Sequence, residues 1–164
     1  MPVTPFHGGL GLLGKGVAGS RFSFVAFCAT QIAIDLESGY HLWRGDWPVH
    51  RFFHTIIGAT LVCAVVVLAL RWLVPRTRGL LRADLGALVP RAGALVAIAS
   101  GVLGHLVPDA IMHFDMQPLA PISEANPLYD LVSLAVLHGA LVICGVVGTV
   151  LWLRHHVRQA RDAR

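Results

Sequence analysis

The residues able to do chemistry in this chain gather in a few short stretches: His7, then Asp35 and Glu37 in IDLE, His50 and His54 in HRFFHT, and His105 and Asp109 in GHLVPD. Imidazole nitrogens and carboxylate oxygens together suit zinc, manganese or iron better than a thiolate-seeking ion. The three cysteines, Cys28, Cys63 and Cys144, stand apart within apolar runs without CxxC spacing and read as packing residues. His50 and His54 are four residues apart, as are His105 and Asp109, a spacing that puts both members of a pair on one helical face. Pro108, inside the second pair, removes a backbone donor and is expected to bend that helix end.

Six candidate ligands, His7, Asp35, His50, His54, His105 and Asp109, exceed the three protein ligands usual for one catalytic zinc. Two arrangements account for the surplus: two ions at the roughly 3.5–4 Å spacing of binuclear hydrolases, or one ion with a spare carboxylate as general base. Glu37 is the spare carboxylate best placed for that role, with Asp109 the other. Arg51 offers planar donors to a phosphate, or simply pairs with Asp46. His41 and His113 read equally well as wet interfacial groups. His138 falls mid-helix and reads as a core histidine hydrogen-bonded to a neighbour, while His155 and His156, among arginines, read as headgroup contacts. Asn126, just before Pro127 in SEANPLYD, is expected to cap the last helix, and with Glu124 and Asp130 can equally orient ligands.

The elements that must position these residues follow from composition. Of 164 residues 55% are apolar and 13% charged, a balance foreign to soluble domains of this length, so the chain belongs in lipid. It forms one transmembrane domain, residues 1–164, with no linker or internal repeat. Apolar helical runs cover about 22–36, 50–73, 89–113 and 128–153, and the last three reach the roughly 20 residues a span needs. Residues 7–19 and 22–36 are each too short to span comfortably. Together they predict a helical hairpin turning at Ser20-Arg21, its glycines letting the two backbones approach closely; the alternative is a flexible lead-in to a single helix. The expected architecture is an all-α polytopic membrane bundle of about five helices. His7 then begins the first helix, Asp35 and Glu37 end the second, His50 and His54 begin the third, and His105, Asp109 and His113 end the fourth. An ionisable group near the hydrocarbon boundary costs several kcal/mol unless paired, hydrated or bound to an ion, so its repetition at one depth asks for a cause.

Charge supplies the orientation. Lys15, Arg21, Arg71, Arg76, Arg78, Arg82, Arg91, Arg154, Arg158, Arg161 and Arg164 fall at one end, eleven of the thirteen basic residues. Asp35, Glu37, Asp46, Asp109, Asp115, Glu124 and Asp130 fall at the other, offset only by Arg44 and Arg51. Cytoplasmic loops collect Lys and Arg, so the chain is expected in the plasma membrane with its N-terminus outside, its C-terminus in the cytoplasm, and its acidic end extracytoplasmic. The basic pI then reflects lipid headgroups rather than nucleic acid. No cleavable signal is expected, because the first basic residue, Lys15, follows His7 and a Gly-rich stretch. GLGLLGK at 9–15 lacks the Ser/Thr and the preceding strand of a P-loop, and no GxSxG elbow appears.

TPFH at 4–7, IDLE at 34–37, HRFFHT at 50–55, GHLVPD at 104–109 and ANPLYD at 125–130 together resemble the small prokaryotic membrane-bound metal-dependent hydrolases, over most of the chain. A more remote similarity is to the all-helical, multi-His/Asp sites of the zinc-dependent phospholipase C type. Family members often carry Asp-x-Asp-His where this chain has Asp35-Leu36-Glu37-Ser38. The resemblance implies a hydrolase acting on a phosphoester or other lipid-linked bond, with one or two divalent ions, zinc first and manganese or iron next. A metal or proton transporter subunit, or a scaffold with a structural metal, are the alternatives.

Overall fold

The computed structural model describes residues 5–162; Thr4 of the TPFH stretch and Arg164 of the tail lie outside them. Every regular element among these residues is helical: α1 (Gly8–Ala18), α2 (Phe24–Arg44), α3 (Ile56–Leu73), α4 (Gly79–Leu85), α5 (Arg91–Met112) and α6 (Leu134–Asp162), with short 3-10 turns at Pro5–His7, Gly19–Arg21 and Phe52–His54 among the connections. The six helices correct the expectation of five. The extra one, α4, lies in the Arg-rich connection and is too short to register as an apolar run. Asp84 of α4 is what ties it down: its carboxylate accepts from Lys15 Nζ at 2.6 Å, from Ser23 Oγ at 2.7 Å and from the backbone N–H groups of Phe24 and Val25. A carboxylate on the free N–H groups of a helix start is favoured both by hydrogen bonding and by the helix dipole.

The hairpin turn falls at Gly19–Arg21, but α2 is longer than its hydropathy suggests. Ser23 Oγ accepts from Ala26 N–H and caps its start. Its end comes at Gly45, in the left-handed region at φ +71°, where Gly45 N–H bonds Leu42 O and Asp46 N–H bonds His41 O. That is a Schellman stop, and it lies two turns beyond Glu37. The helix therefore has 21 residues, about 30 Å of rise, and its bounds of 22–36 are corrected, although its polar second half keeps it out of the segments apolar enough to cross a membrane.

Helices α2, α3 and α5 pack around one another and form the core that holds the site, while α6 packs chiefly on α1. The α1 glycines thus serve a different partner from the one expected. A Cβ on Gly9 would overlap the Leu141 carbonyl, one on Gly16 would overlap Gly148, and one on Gly148 would overlap Leu12. The close backbone approach is between α1 and α6, whereas against α2 the α1 glycines meet the rings of Phe22, Phe24 and Phe27.

Three segments are long and apolar enough to cross a membrane: Ile56–Arg76, Arg91–Met112 and Leu134–Arg158. Val65, Leu68, Trp72, Leu95, Leu103 and Ile143 point outward, while His54, His105 and Asp109 are buried. This inverts the pattern of a water-soluble bundle and matches a surface solvated by lipid. The Asn126 expectation also changes. Its amide donates to Ala110 O at 2.9 Å and to His113 O at 3.1 Å, so it closes the end of α5, and Ser133 Oγ accepts from Val136 N–H at the start of α6.

Candidate metal centre

Asp35 from α2, His54 from the turn before α3, and His105 and Asp109 from α5 bring one donor atom each to within 4.8 Å of one another, all four side chains buried. His105 Nε2 lies 3.3 Å from His54 Nε2, 3.5 Å from Asp35 Oδ1 and 3.2 Å from Asp109 Oδ2. His54 Nε2 lies 3.8 Å from Asp35 Oδ1 and 3.9 Å from Asp109 Oδ2. Donors held at about 2.1 Å around a tetrahedral ion stand roughly 3.4 Å apart, so these separations bracket such a shell.

Hydrogen bonding outside the cluster sets which nitrogen of a neutral His105 faces inward as an acceptor. Gln31 Nε2 donates to Gly101 O at 3.1 Å, which leaves Oε1 facing His105 Nδ1 at 3.2 Å. An amide oxygen only accepts, so the His105 proton sits on Nδ1 and its Nε2 turns a lone pair toward the other three donors. Acceptors this close, with both histidines 0% exposed, repel one another unless a cation or additional protons stand between them. Glu37 approaches His54 from behind: its Oε2 accepts from Phe53 N–H at 2.7 Å and lies 3.9 Å from His54 Nδ1. Ser38 Oγ reaches the Asp35 carbonyl at 3.1 Å.

His50 and His54 are adjacent, with ring centroids 4.7 Å apart, but not for the reason their spacing suggests. Neither lies in α3: His50 is in the irregular connection and His54 in the 3-10 turn, so a folded loop, not a shared helical face, brings them together. Likewise Asp35 and Glu37 lie within α2 rather than at its end. His50 Nδ1 donates to Asp115 Oδ1 at 2.9 Å, and the N–H groups of Val49 and His50 donate to Oδ2. Burial works against ionisation of Asp115, but the His50 ring, its charge and the N–H groups of His50 and Val49 together outweigh it and hold the carboxyl below its usual range. The His113 ring lies tilted against that of His50 with centroids 4.2 Å apart, and burial, reinforced by His50, pushes its pKa down to about 4. His7 Nε2 stands 3.1 Å from Asp109 Oδ1, yet neither atom has an aligned hydrogen bond.

Other candidates fall elsewhere. Arg51 is exposed with its Nε donating to Pro48 O; Asp46 instead meets His41 at 3.1 Å and Arg44 at 3.9 Å. His138 stacks on Phe6 at 4.4 Å, and its Nε2 has no hydrogen-bond partner, contrary to the expected neighbour bond. Sequence reasoning missed Gln31, Asp115 and the placement of His113. Gln31 carried a signal, since it lies four residues before Asp35 on the same face of α2; Asp115 carried none.

A cavity of about 440 Å³ walled by Trp47, Phe114 and Tyr129 borders Asp115 at this end. A larger one, about 810 Å³, lies at the basic end among Lys15, Arg21, Leu80 and Trp152, and the carboxylate there, Asp84, already has its donors. No family model, curated protein or solved structure matches the chain. Function must therefore be read from the residues themselves.

Proposed function

We propose that the chain is a plasma-membrane metal-dependent hydrolase that acts on a phosphoester or other lipid-linked bond at the extracytoplasmic end of its bundle, with its N-terminus outside and its C-terminus in the cytoplasm. The observation that carries this is the buried convergence of Asp35, His54, His105 and Asp109, with the His105 lone pair aimed inward by Gln31. Two imidazoles and two carboxylates suit zinc first, then manganese or iron. A divalent ion held there supplies Lewis acidity, polarising the scissile group and making nearby water a better nucleophile.

The chain's own groups divide the remaining work. Asp35 and Asp109 balance the ion's charge, and His54 and His105 fix its position from two different elements. Glu37 lies outside the four-donor set, on the Nδ1 side of His54 at 3.9 Å and with 15% of its side chain exposed, so it orients that ring from behind and offers a carboxylate through which protons reach solvent. Arg51, exposed on the same connection as His50 and His54, presents a planar guanidinium to a substrate phosphate. The bilayer delivers the substrate, and the aromatic-walled cavity beside Asp115 admits its polar part.

A transporter using the same ligands would need polar groups toward the basic end. There the core between α2, α3, α4 and α5 is closed by Ala26, Val67, Val74, Leu85, Leu88 and Ala97. The hydrolase reading is tested on detergent-purified protein by elemental analysis and a screen of phosphoester and lipid substrates, wild type beside His54→Ala and Asp109→Ala. Bound metal and a chelator-sensitive turnover, both lost in the variants, are expected. A protein that binds no zinc, or binds it and turns over no substrate class, overturns the reading.

A further inference from the structure

Beside the four-donor cluster lies a second one. His50, His113 and Asp109 place one donor atom each within 4.8 Å of one another. The Asp115 carboxylate can only accept, so the His50 proton sits on Nδ1 and the lone pair on Nε2. That Nε2 is buried and has no hydrogen-bond partner, in a side chain 3% exposed. His7 Nε2 and Asp109 Oδ1 are also buried without a partner. Buried polar atoms are normally hydrogen-bonded, so three unpartnered ones side by side call for a ligand.

The two oxygens of Asp109 have different neighbours. Oδ2 faces His105 at 3.2 Å and His54 at 3.9 Å, while Oδ1 faces His7 at 3.1 Å. A carboxylate with histidines converging on both oxygens, and belonging to both donor groups, has the arrangement of a bridge. Resting on the metal-centre reading above, we infer that His50, His113 and Asp109 bind a second divalent cation, so that the site is binuclear with Asp109 shared between the ions.

Two imidazoles and one carboxylate leave at least one coordination position open, the condition for an ion that meets substrate rather than a structural one. Asp115, the partner of His50, also lines the aromatic-walled cavity, so the residues that would hold a second ion stand one side chain away from space a substrate could enter. Asp115 is then a positioning residue: it holds the His50 tautomer and ring direction from behind, as carboxylates commonly do for ligating histidines. His7 adds an imidazole on the Oδ1 side of the bridge, which brings the N-terminal segment into the site.

The test is metal stoichiometry on the full chain in detergent, loaded with zinc, desalted and measured by elemental analysis, together with paramagnetic resonance of the manganese-loaded protein. Two zinc ions per wild-type chain are expected, falling to one in His113→Ala, with an exchange-coupled manganese spectrum in the wild type that becomes that of an isolated ion in the variant. One zinc in both proteins overturns the second site while leaving the single-ion hydrolase standing. No zinc in the wild type sinks both. Two zinc ions retained in a folded His113→Ala place the second ion elsewhere and overturn this assignment. Should His113→Ala fail to fold, the wild-type stoichiometry and coupled spectrum still decide the matter.

Discussion

Gln31→Met removes the group that sets the His105 tautomer while keeping side-chain volume. In the wild type the Gln31 amide spans two helices: Nε2 on Gly101 O at 3.1 Å and Oε1 on His105 Nδ1 at 3.2 Å, with the residue 8% exposed. Methionine offers neither a strong acceptor nor a donor, so His105 loses the bond that directs its lone pair inward. Loss of such a supporting partner typically costs 10- to 100-fold in metal affinity, which is about 1.4–2.7 kcal/mol. His105 Nδ1–H is also left unmatched, whereas Gly101 O keeps its bond within α5, so the metal-free protein loses about 1–3 kcal/mol. Stability alone would fall under a merely structural role, which makes affinity the deciding measurement. Zinc affinity is read by competition with a chromophoric chelator, with Gln31→Glu as companion because it keeps an acceptor on His105. Gln31→Met is expected to weaken zinc binding at least 10-fold and Gln31→Glu to stay within a few-fold of wild type. A folded Gln31→Met with wild-type affinity, or a Gln31→Glu as weak as Gln31→Met, refutes the reasoning.

Asp84→Asn at the basic end is expected to cost about 2–3 kcal/mol in unfolding measurements, because it removes the charge paired with Lys15 and weakens the bonds to the start of α2. Burial raises the pKa of Asp84, but Lys15 and the other donors outweigh it and keep the folded value below the usual carboxylate range. The stabilisation is therefore complete above roughly pH 5 and disappears as pH falls through the folded value, so wild type and variant should converge in acid; a gap constant down to pH 2 contradicts this. Gly148→Ala drives a methyl into the Leu12 backbone and should destabilise the α1–α6 pair by about 1–3 kcal/mol. Since Asp35, His54, His105 and Asp109 lie on other elements, that variant should keep the four-donor ion, and loss of all metal would show that α1 and α6 do more than flank the core.

How much of this was legible in the chain itself differs from residue to residue. Composition and the length of apolar runs determined an all-helical chain with three membrane-capable segments, because burial of backbone in lipid allows few alternatives. The recurrence of His and Asp at one depth pointed to Asp35, His54, His105 and Asp109 before any coordinates, since only a shared site relieves so many ionisable groups near hydrocarbon. His105 and Asp109 are four apart on a continuous helix, so their convergence is local and readable.

What lay beyond the sequence was long-range. Hydropathy stopped α2 near Glu37, whereas the stop signal is the left-handed Gly45, and the polar turns between them stay helical. His50 and His54 had a helical spacing without a helix; the loop that carries them is held by Asp115, 65 residues from His50, and no periodicity encodes such a bond. The α1 glycines announced a close contact without saying that its partner was α6, more than a hundred residues away. A sequence specifies the face a helix will bury and the donors it will bring, because both are set by 3.6-residue geometry. Which faces meet, and which way a lone pair points once they do, is decided by packing between distant segments and exists only in the folded chain.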